Sequence, residues 1–115
     1  MIAIFTRSGG FAGRTQTVMV QRDGTIAVRN GDDGAPILQT AQADPAAIAT
    51  LEAAINSGAW QQLDAQYGQQ VPDGFTYTIN AGGKQVQTFD GATNPPILDS
   101  VIQQMNELLA AAGTN

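Results

Sequence analysis

The sequence predicts an α+β fold in which an antiparallel sheet of four to five strands carries two helices on one face. Three observations lead to this fold class. Five short segments are rich in alternating apolar and polar residues, two later segments have apolar residues at helical spacing, and glycine-containing turns separate neighbouring strands. The elements follow in the order β-β-β-α-β-β-α. Strands joined by short turns pair antiparallel, and the helices are then expected to cover one face of their sheet.

The first three strands form a meander. Residues 2–7 alternate between apolar and polar side chains, and residues 14–22 form a second segment rich in β-branched residues. Asp23-Gly24 is a strong two-residue hairpin signal that leads into a third strand at residues 25–29. The polar, glycine-containing residues 30–34 are expected to end the meander.

The first helix is expected to begin at Asp44-Pro45, because aspartate caps free amides and proline suits the first helical turn. Apolar residues follow at helical spacing, and Ser57-Gly58 is expected to end the helix. Trp60 and Leu63 are predicted to fold back over the core, since a single tryptophan in a small domain is usually a packing anchor.

A second hairpin and a second helix complete the chain. Residues 75–79 and 84–89 are the two predicted strands, joined by the turn at residues 81–83. Asn94-Pro95-Pro96 opens the last helix, which Gly113 is expected to end. One apolar stripe runs along it and is predicted to be core. It consists of Leu98, Val101, Ile102, Met105, Leu108 and Leu109.

Length and composition indicate a single domain spanning residues 1–115. The chain has 115 residues and 43% hydrophobic content, which suffices for one modest core. Its net charge is −5, and the five basic residues are scattered along the sequence. Nucleic acid and anionic membranes are therefore not expected as partners, because both need a concentrated positive surface. The sequence contains no signal peptide or transmembrane segment, so a cytoplasmic location is expected. The free protein is expected to be monomeric.

Cysteine and histidine are both absent from the sequence. Disulfides, thiolate nucleophiles, Cys/His metal sites and a Ser-His-Asp triad are therefore excluded. A carboxylate-based hydrolase needs two acids held about 5–10 Å apart, and no pair is placed there by the sequence. We therefore expect no catalytic residue, no metal site and no cofactor, and we expect a protein that is not an enzyme.

The segment from Ser8 to Gly13 is the leading candidate for a partner-binding loop; it consists of Ser8, Gly9, Gly10, Phe11, Ala12 and Gly13. Its glycines allow positive φ angles or close approach to another surface, and its aromatic residue lies outside any predicted strand or helix. Three interpretations are open. Phe11 turns back onto the core of a wide hairpin, or it protrudes as an anchor for a partner's pocket, or the glycines cradle a phosphate. The third is the weakest, because no helix follows the loop and no P-loop lysine is present.

Two other features have structural interpretations. The alternative for the last helix is a role in binding a partner's groove, but amphipathic helices in small domains usually face their own sheet. Asp32 and Asp33 resemble the start of a calcium loop, but the alternating acidic spacing and the late glutamate are missing. We interpret them as a solvated turn.

Three segments together resemble the emfourin family. They are residues 5–13, which read Phe-Thr-Arg-Ser-Gly-Gly-Phe-Ala-Gly, residues 75–79, which read Phe-Thr-Tyr-Thr-Ile before a glycine turn, and the late Pro95-Pro96 helix start. Emfourins are small bacterial inhibitors of protealysin-like, thermolysin-type (M4) zinc metalloproteases. The resemblance implies a non-covalent inhibitor that binds in or over the active-site cleft of such a protease. Thermolysin-type enzymes resemble one another in preferring a bulky apolar side chain just past the scissile bond, and Phe11 would suit the pocket that binds it.

Composition limits which groups of such an inhibitor could bind the protease zinc. Without histidine or cysteine, only a carboxylate, a backbone carbonyl or the amino group of Met1 could ligate it. Met1 and Gly9 lie at opposite ends of one predicted strand, about 25 Å apart at roughly 3.3 Å per residue, so they cannot reach the same ion. The glycine loop is the preferred contact. The alternative is an edge made of Met1, Asp23 and Gly24. A non-inhibitory protein-interaction or ligand-binding domain of the same fold is the competing function.

Overall fold

A computed structural model describes residues 2–9, 14–31 and 36–112 of the chain. These residues form strands β1 to β7 and helices α1 to α3. The strands are, in chain order, Ala3–Gly9, Arg14–Val20, Thr25–Arg29, Ile37–Gln42, Gln66–Tyr67, Phe75–Ala81 and Lys84–Phe89. The helices are Pro45–Ile55, Gly58–Gln61 and Pro96–Ala111, with α1 and α2 between β4 and β5 and α3 after β7.

The described strands form one mixed sheet in the order β4-β3-β2-β1-β6-β7-β5. Neighbours pair antiparallel except β5, which runs parallel to β7. The first strand lies at the centre, with β2 on one side and β6 on the other. The two predicted hairpins are thus joined through β1, and the α+β class is confirmed.

The predicted count of four to five antiparallel strands and two helices was too low. Residues 30–34 do not end the meander, because Ile37–Gln42 adds a fourth strand along β3. This strand was missed because it is an edge strand with little alternation. The two-residue β5 and the one-turn α2 are too short to show any periodicity. Helix α1 ends at Ile55 with Asn56 as its C-cap, directly before the expected Ser57-Gly58 stop, and the Ser57 side chain accepts the Trp60 amide and caps α2.

One face of the sheet carries the core, and the helices cover this face. Ala3, Phe5 and Val18 are among its buried strand residues, and they belong to the same apolar cluster as the buried helix residues. Trp60 and Leu63 lie in this cluster as predicted, with 0% and 7% of their surface exposed. The apolar stripe of α3 is also core, apart from the half-buried Ile102.

The start of α1 follows the predicted capping pattern. The Asp44 carboxylate accepts the Ala46 amide, and Pro45 occupies the first helical position. In contrast, α3 begins after Pro95 without a side-chain cap. None of the helices in the described ranges is both long and apolar enough to cross a membrane.

Candidate functional site

The leading candidate site lies at the end of the sheet where β1 ends. The next residues in the sequence, 10–13, are called the glycine segment. We call the candidate site the loop end and define it by Arg7–Gly9 of β1, Arg14–Gln16 of β2 and Phe75–Tyr77 of β6. Across β1, Ser8 pairs with Thr15 on one side and Thr76 on the other. Gly9 in turn pairs with Arg14 and Phe75. The central strand is therefore held on both sides up to its last residue.

This pairing corrects the expected loop boundary. Ser8 and Gly9 were predicted to belong to the loop, but both are strand residues. The reason is tertiary, because two neighbouring strands extend β1 beyond its alternating apolar residues. Gly10, Phe11, Ala12 and Gly13 lie outside the described residues, so the prediction that Phe11 is an anchor stays a prediction.

The backbone at Gly9 accepts no other residue without strain. Its φ is +98°, in the region that residues with a Cβ rarely adopt. A Cβ at this position would lie 2.6 Å from the carbonyl oxygen of Gly74. Gly9 thus allows β1 to pass close to the segment that leads into β6, directly before the glycine segment begins.

Arg7 is the cation of the loop end that side-chain contacts hold in place. Its Nη2 donates to Gln16 Oε1 at 2.7 Å and its Nη1 donates to Asn106 Oδ1 of α3 at 3.3 Å. Its guanidinium also lies 5.3 Å from the centre of the Phe75 ring, which is cation–π distance. These three contacts connect β1, β2, β6 and α3. They fix the direction of the charge without neutralising it.

Asp90, directly after β7, stabilises the β6 side of the loop end. Its Oδ2 accepts the Phe75 amide at 2.8 Å, and its Oδ1 accepts the Tyr77 hydroxyl at 3.2 Å. The pKa of Tyr77 is raised above its ordinary value, mainly by burial and to a smaller extent by the nearby Asp90 carboxylate. The positive charge of Arg7 opposes this rise. Asp90-Gly91 is a turn as predicted, and it also fixes the first residues of β6.

The alternative edge lies at the opposite end of the sheet. The Ile2 amide donates to Val20 O at 2.8 Å, so the start of β1 and the end of β2 are neighbours, as the predicted hairpin required. Asp23 is exposed, and its carboxylate accepts the Thr25 amide, which lowers its pKa. Gly24 is buried with a φ of +93°, and its carbonyl accepts the Ala43 amide. Met1 lies outside the described residues.

The two candidate surfaces therefore lie at opposite ends of the sheet and do not form one site. Ser8 and Gly9 lie at one end of β1, whereas Asp23 and Gly24 lie beyond the other. Gly24 is buried where the β2–β3 turn contacts the end of β4, through the hydrogen bond from the Ala43 amide to its carbonyl. Of the alternative edge, Asp23 is the described residue whose side chain reaches solvent.

Sequence reasoning missed several residues of the loop end. Arg7 and Arg14 were interpreted as scattered charges, but they lie on neighbouring strands beside Gly9. Phe75 and Tyr77 were interpreted only as strand residues, and Asp90 only as a turn. The available signal was that both arginines flank the glycine segment, one on each side in sequence.

A groove with a volume of about 410 Å³ lies between α1 and α3. Its lining includes Ala47, Leu108, Asp44 and Glu107. Gln104 also lines it, and its buried Oε1 has no hydrogen-bond partner in the described part of the chain. In the same ranges, no group of three acidic residues is arranged to hold a metal ion.

Neither a protein-family comparison nor a search of curated proteins finds a match to this chain. The resemblance to emfourins therefore rests on the three quoted segments.

Proposed function

We propose that this protein inhibits a thermolysin-like zinc metalloprotease of the protealysin type by binding non-covalently in or over its active-site cleft. The observation that carries the proposal is the pairing of β1 with β2 and β6 as far as Gly9. The paired Ser8 and Gly9 provide a stiff base for the rest of the segment Ser8–Gly13. This segment is also the most specific part of the likeness to emfourins.

A stiff base matters for affinity. Binding costs free energy for each side chain and loop that becomes ordered at the interface, so a preorganised surface loses less on association. At the loop end, Arg7 is held by Gln16, Asn106 and Phe75, and Asp90 holds the first residues of β6. These contacts support the proposal that the glycine segment is the part that enters the cleft.

The direct test is an inhibition assay. The purified protein is titrated against a thermolysin-type protease with a quenched fluorescent peptide substrate, and against a serine protease as control. We expect dose-dependent inhibition of the metalloprotease, reversible on dilution, and none of the serine protease. Unchanged metalloprotease activity at a large molar excess of the protein over several such enzymes would reject the proposal.

Two variants decide which end of the sheet enters the cleft. Phe11→Ala removes the proposed anchor, and an N-terminal extension of a few residues blocks the Met1 end. We expect Phe11→Ala to weaken inhibition by tenfold or more, since a buried aromatic anchor is often worth more than about 1.4 kcal/mol. The extension should have little effect. Loss of potency in the extended protein alone would transfer the contact to Met1, Asp23 and Gly24.

The alternative function is a non-inhibitory protein-interaction or ligand-binding domain. The groove between α1 and α3 favours it, because Gln104 Oε1 is a buried acceptor without a partner among the described residues. Such an acceptor would suit a small ligand with an apolar body and a hydrogen-bond donor. An NMR fragment screen would test this, with shifts at Ala47 and Leu108 as the expected signature.

A further inference from the structure

We propose that Arg7 and Arg14 form a carboxylate-binding site beside the glycine segment, and that they pair with an acidic side chain of the inhibited protease. This inference rests on the proposed function and specifies which chemistry the partner presents next to its cleft. It starts from the position of the two arginines in the sheet.

The register brings both arginines to one place. Arg7 pairs with Gln16 and Arg14 pairs with Gly9, so the two arginines are diagonal neighbours on adjacent antiparallel strands. Diagonal neighbours have Cβ atoms about 7–8 Å apart. The long arginine side chains can therefore converge on a single carboxylate. Gly9, between Arg14 and Phe75 in the register, contributes no side chain that would obstruct it.

Both charges are available for a partner. In the described part of the chain, Arg7 bonds only to the neutral Gln16 and Asn106, and Arg14 is exposed without a hydrogen bond or ion pair. In contrast, Arg22 pairs with Glu52 at 2.8 Å. Asp90 accepts the Phe75 amide and the Tyr77 hydroxyl on the β6 side, and it forms no ion pair with either arginine.

The chemistry of the pair favours a carboxylate. A guanidinium has five N–H donors in a planar fork, and Arg7 uses two of its nitrogens, in contacts that also fix its orientation. The chain has a net charge of −5, and Arg7 and Arg14 are two of its five basic residues; neither has an ion pair in the described part of the chain. Two such arginines side by side would favour encounter with an acidic cleft rim.

The test compares inhibition constants of matched charge variants at low and at physiological salt. Arg14→Gln is the main variant because its side chain makes no contact that folding needs, and Arg7→Lys keeps the charge but loses the fork. Arg22→Gln is the control, with the same loss of charge at the opposite end of the sheet. We expect about tenfold weaker inhibition for Arg14→Gln and Arg7→Lys, less salt dependence for Arg14→Gln, and no change for Arg22→Gln.

A second measurement does not depend on the protease. The Nε–Hε signals of Arg7 and Arg14 are followed by NMR while glutarate or inorganic phosphate is added to the free protein. We expect saturable shifts with glutarate that Arg14→Gln abolishes. A stronger response to phosphate, or no response at either arginine, overturns the carboxylate site.

The two measurements separate failure of this inference from failure of the proposed function. A wild-type protein that inhibits, with Arg14→Gln equally potent, overturns the arginine site and leaves the inhibitor proposal standing. Glutarate binding without any inhibition supports the site and removes the protease as its partner.

Discussion

At the residue scale, the loop end depends on a few positions with little tolerance for change. Gly9 is required by its positive φ and by the closeness of Gly74. Arg7 is held by contacts from three directions, and Tyr77 shares Asp90 with the Phe75 amide. These residues hold the backbone on either side of the glycine segment. Changes to Gly9 and Tyr77 should therefore be visible first as changes in stability.

Gly9→Ala should destabilise the protein more than Gly83→Ala. Both glycines have positive φ, but a Cβ at Gly83 would meet nothing within 4 Å, whereas at Gly9 it would lie 2.6 Å from Gly74 O. We expect a loss of about 1 kcal/mol at Gly83 and about 2–3 kcal/mol at Gly9 in the free energy of unfolding. Urea denaturation followed by circular dichroism measures both. Equal losses would show that the contact with Gly74 relaxes without cost.

Tyr77 should contribute a stability that disappears in alkaline solution. Its pKa in the folded protein is raised above the ordinary 10.0, so the folded state keeps its proton at pH values where the unfolded state loses it. This contribution is therefore complete below pH 10 and is lost as the pH rises through the higher folded pKa. In Tyr77→Phe, the free energy of unfolding should fall less steeply above pH 10. Parallel slopes for the two proteins between neutral and alkaline pH would contradict this assignment.

At the element scale, the short helix α2 fastens the helical layer to the second hairpin. Trp60 is fully buried, and its Nε1 donates to Ala81 O at the end of β6. Lys84 Nζ donates to the carbonyls of Gln61 and Leu63, which fixes the start of β7 to the same segment. A single helical turn would be unstable alone, so these tertiary contacts maintain it.

Trp60→Phe should destabilise the protein by about 1–3 kcal/mol, because it leaves a cavity and deprives the buried Ala81 carbonyl of its indole donor. The measurement is chemical denaturation followed by circular dichroism, since the variant lacks the single tryptophan fluorophore. The matched control is Gln61→Ala in the same helix, where an exposed side chain donates to Gly82 O. It should change stability by less than about 0.5 kcal/mol. A similar small effect of Trp60→Phe would mean that α2 is not a fastening element.

At the scale of the whole molecule, stability should fall from the centre of the sheet to its edges. The central β1 is paired on both sides and β4 on one side within the described sheet. The Ala43 amide bonds to Gly24 O and the Gln21 amide bonds to Thr25 O. The Ala43 amide thus points toward the β3 side, and along a strand the backbone amides point alternately to one side and the other. The amides of Thr40 and Gln42 therefore point away from β3.

Native-state hydrogen exchange should report this gradient. We expect the amides of Phe5 and Thr6 in β1 to exchange only through global or near-global unfolding, and those of Thr40 and Gln42 to exchange orders of magnitude faster. Exchange monitored by NMR at neutral pH measures the difference. Equally strong protection of Thr40 and Gln42 would indicate that the β4 edge is covered, for example by a second copy of the chain.

The sequence by itself determined the α+β class, the two hairpins, both long helices and most of the core. These elements have local signals: alternation in the strands, the cap at Asp44-Pro45, and the apolar stripe from Leu98 to Leu109. It also excluded cysteine and histidine chemistry through composition alone.

Only the tertiary structure decided where β1 ends, that β4, β5 and α2 exist, and that Arg7 and Arg14 are neighbours. The edge strand β4 shows little alternation, and β5 and α2 are too short to show a repeating apolar pattern. Contacts with neighbouring elements maintain all three. The two arginines are seven positions apart in the sequence, and the β1–β2 register makes them adjacent. Strand pairing creates this proximity, because it sets residues from separate parts of the chain side by side in one sheet.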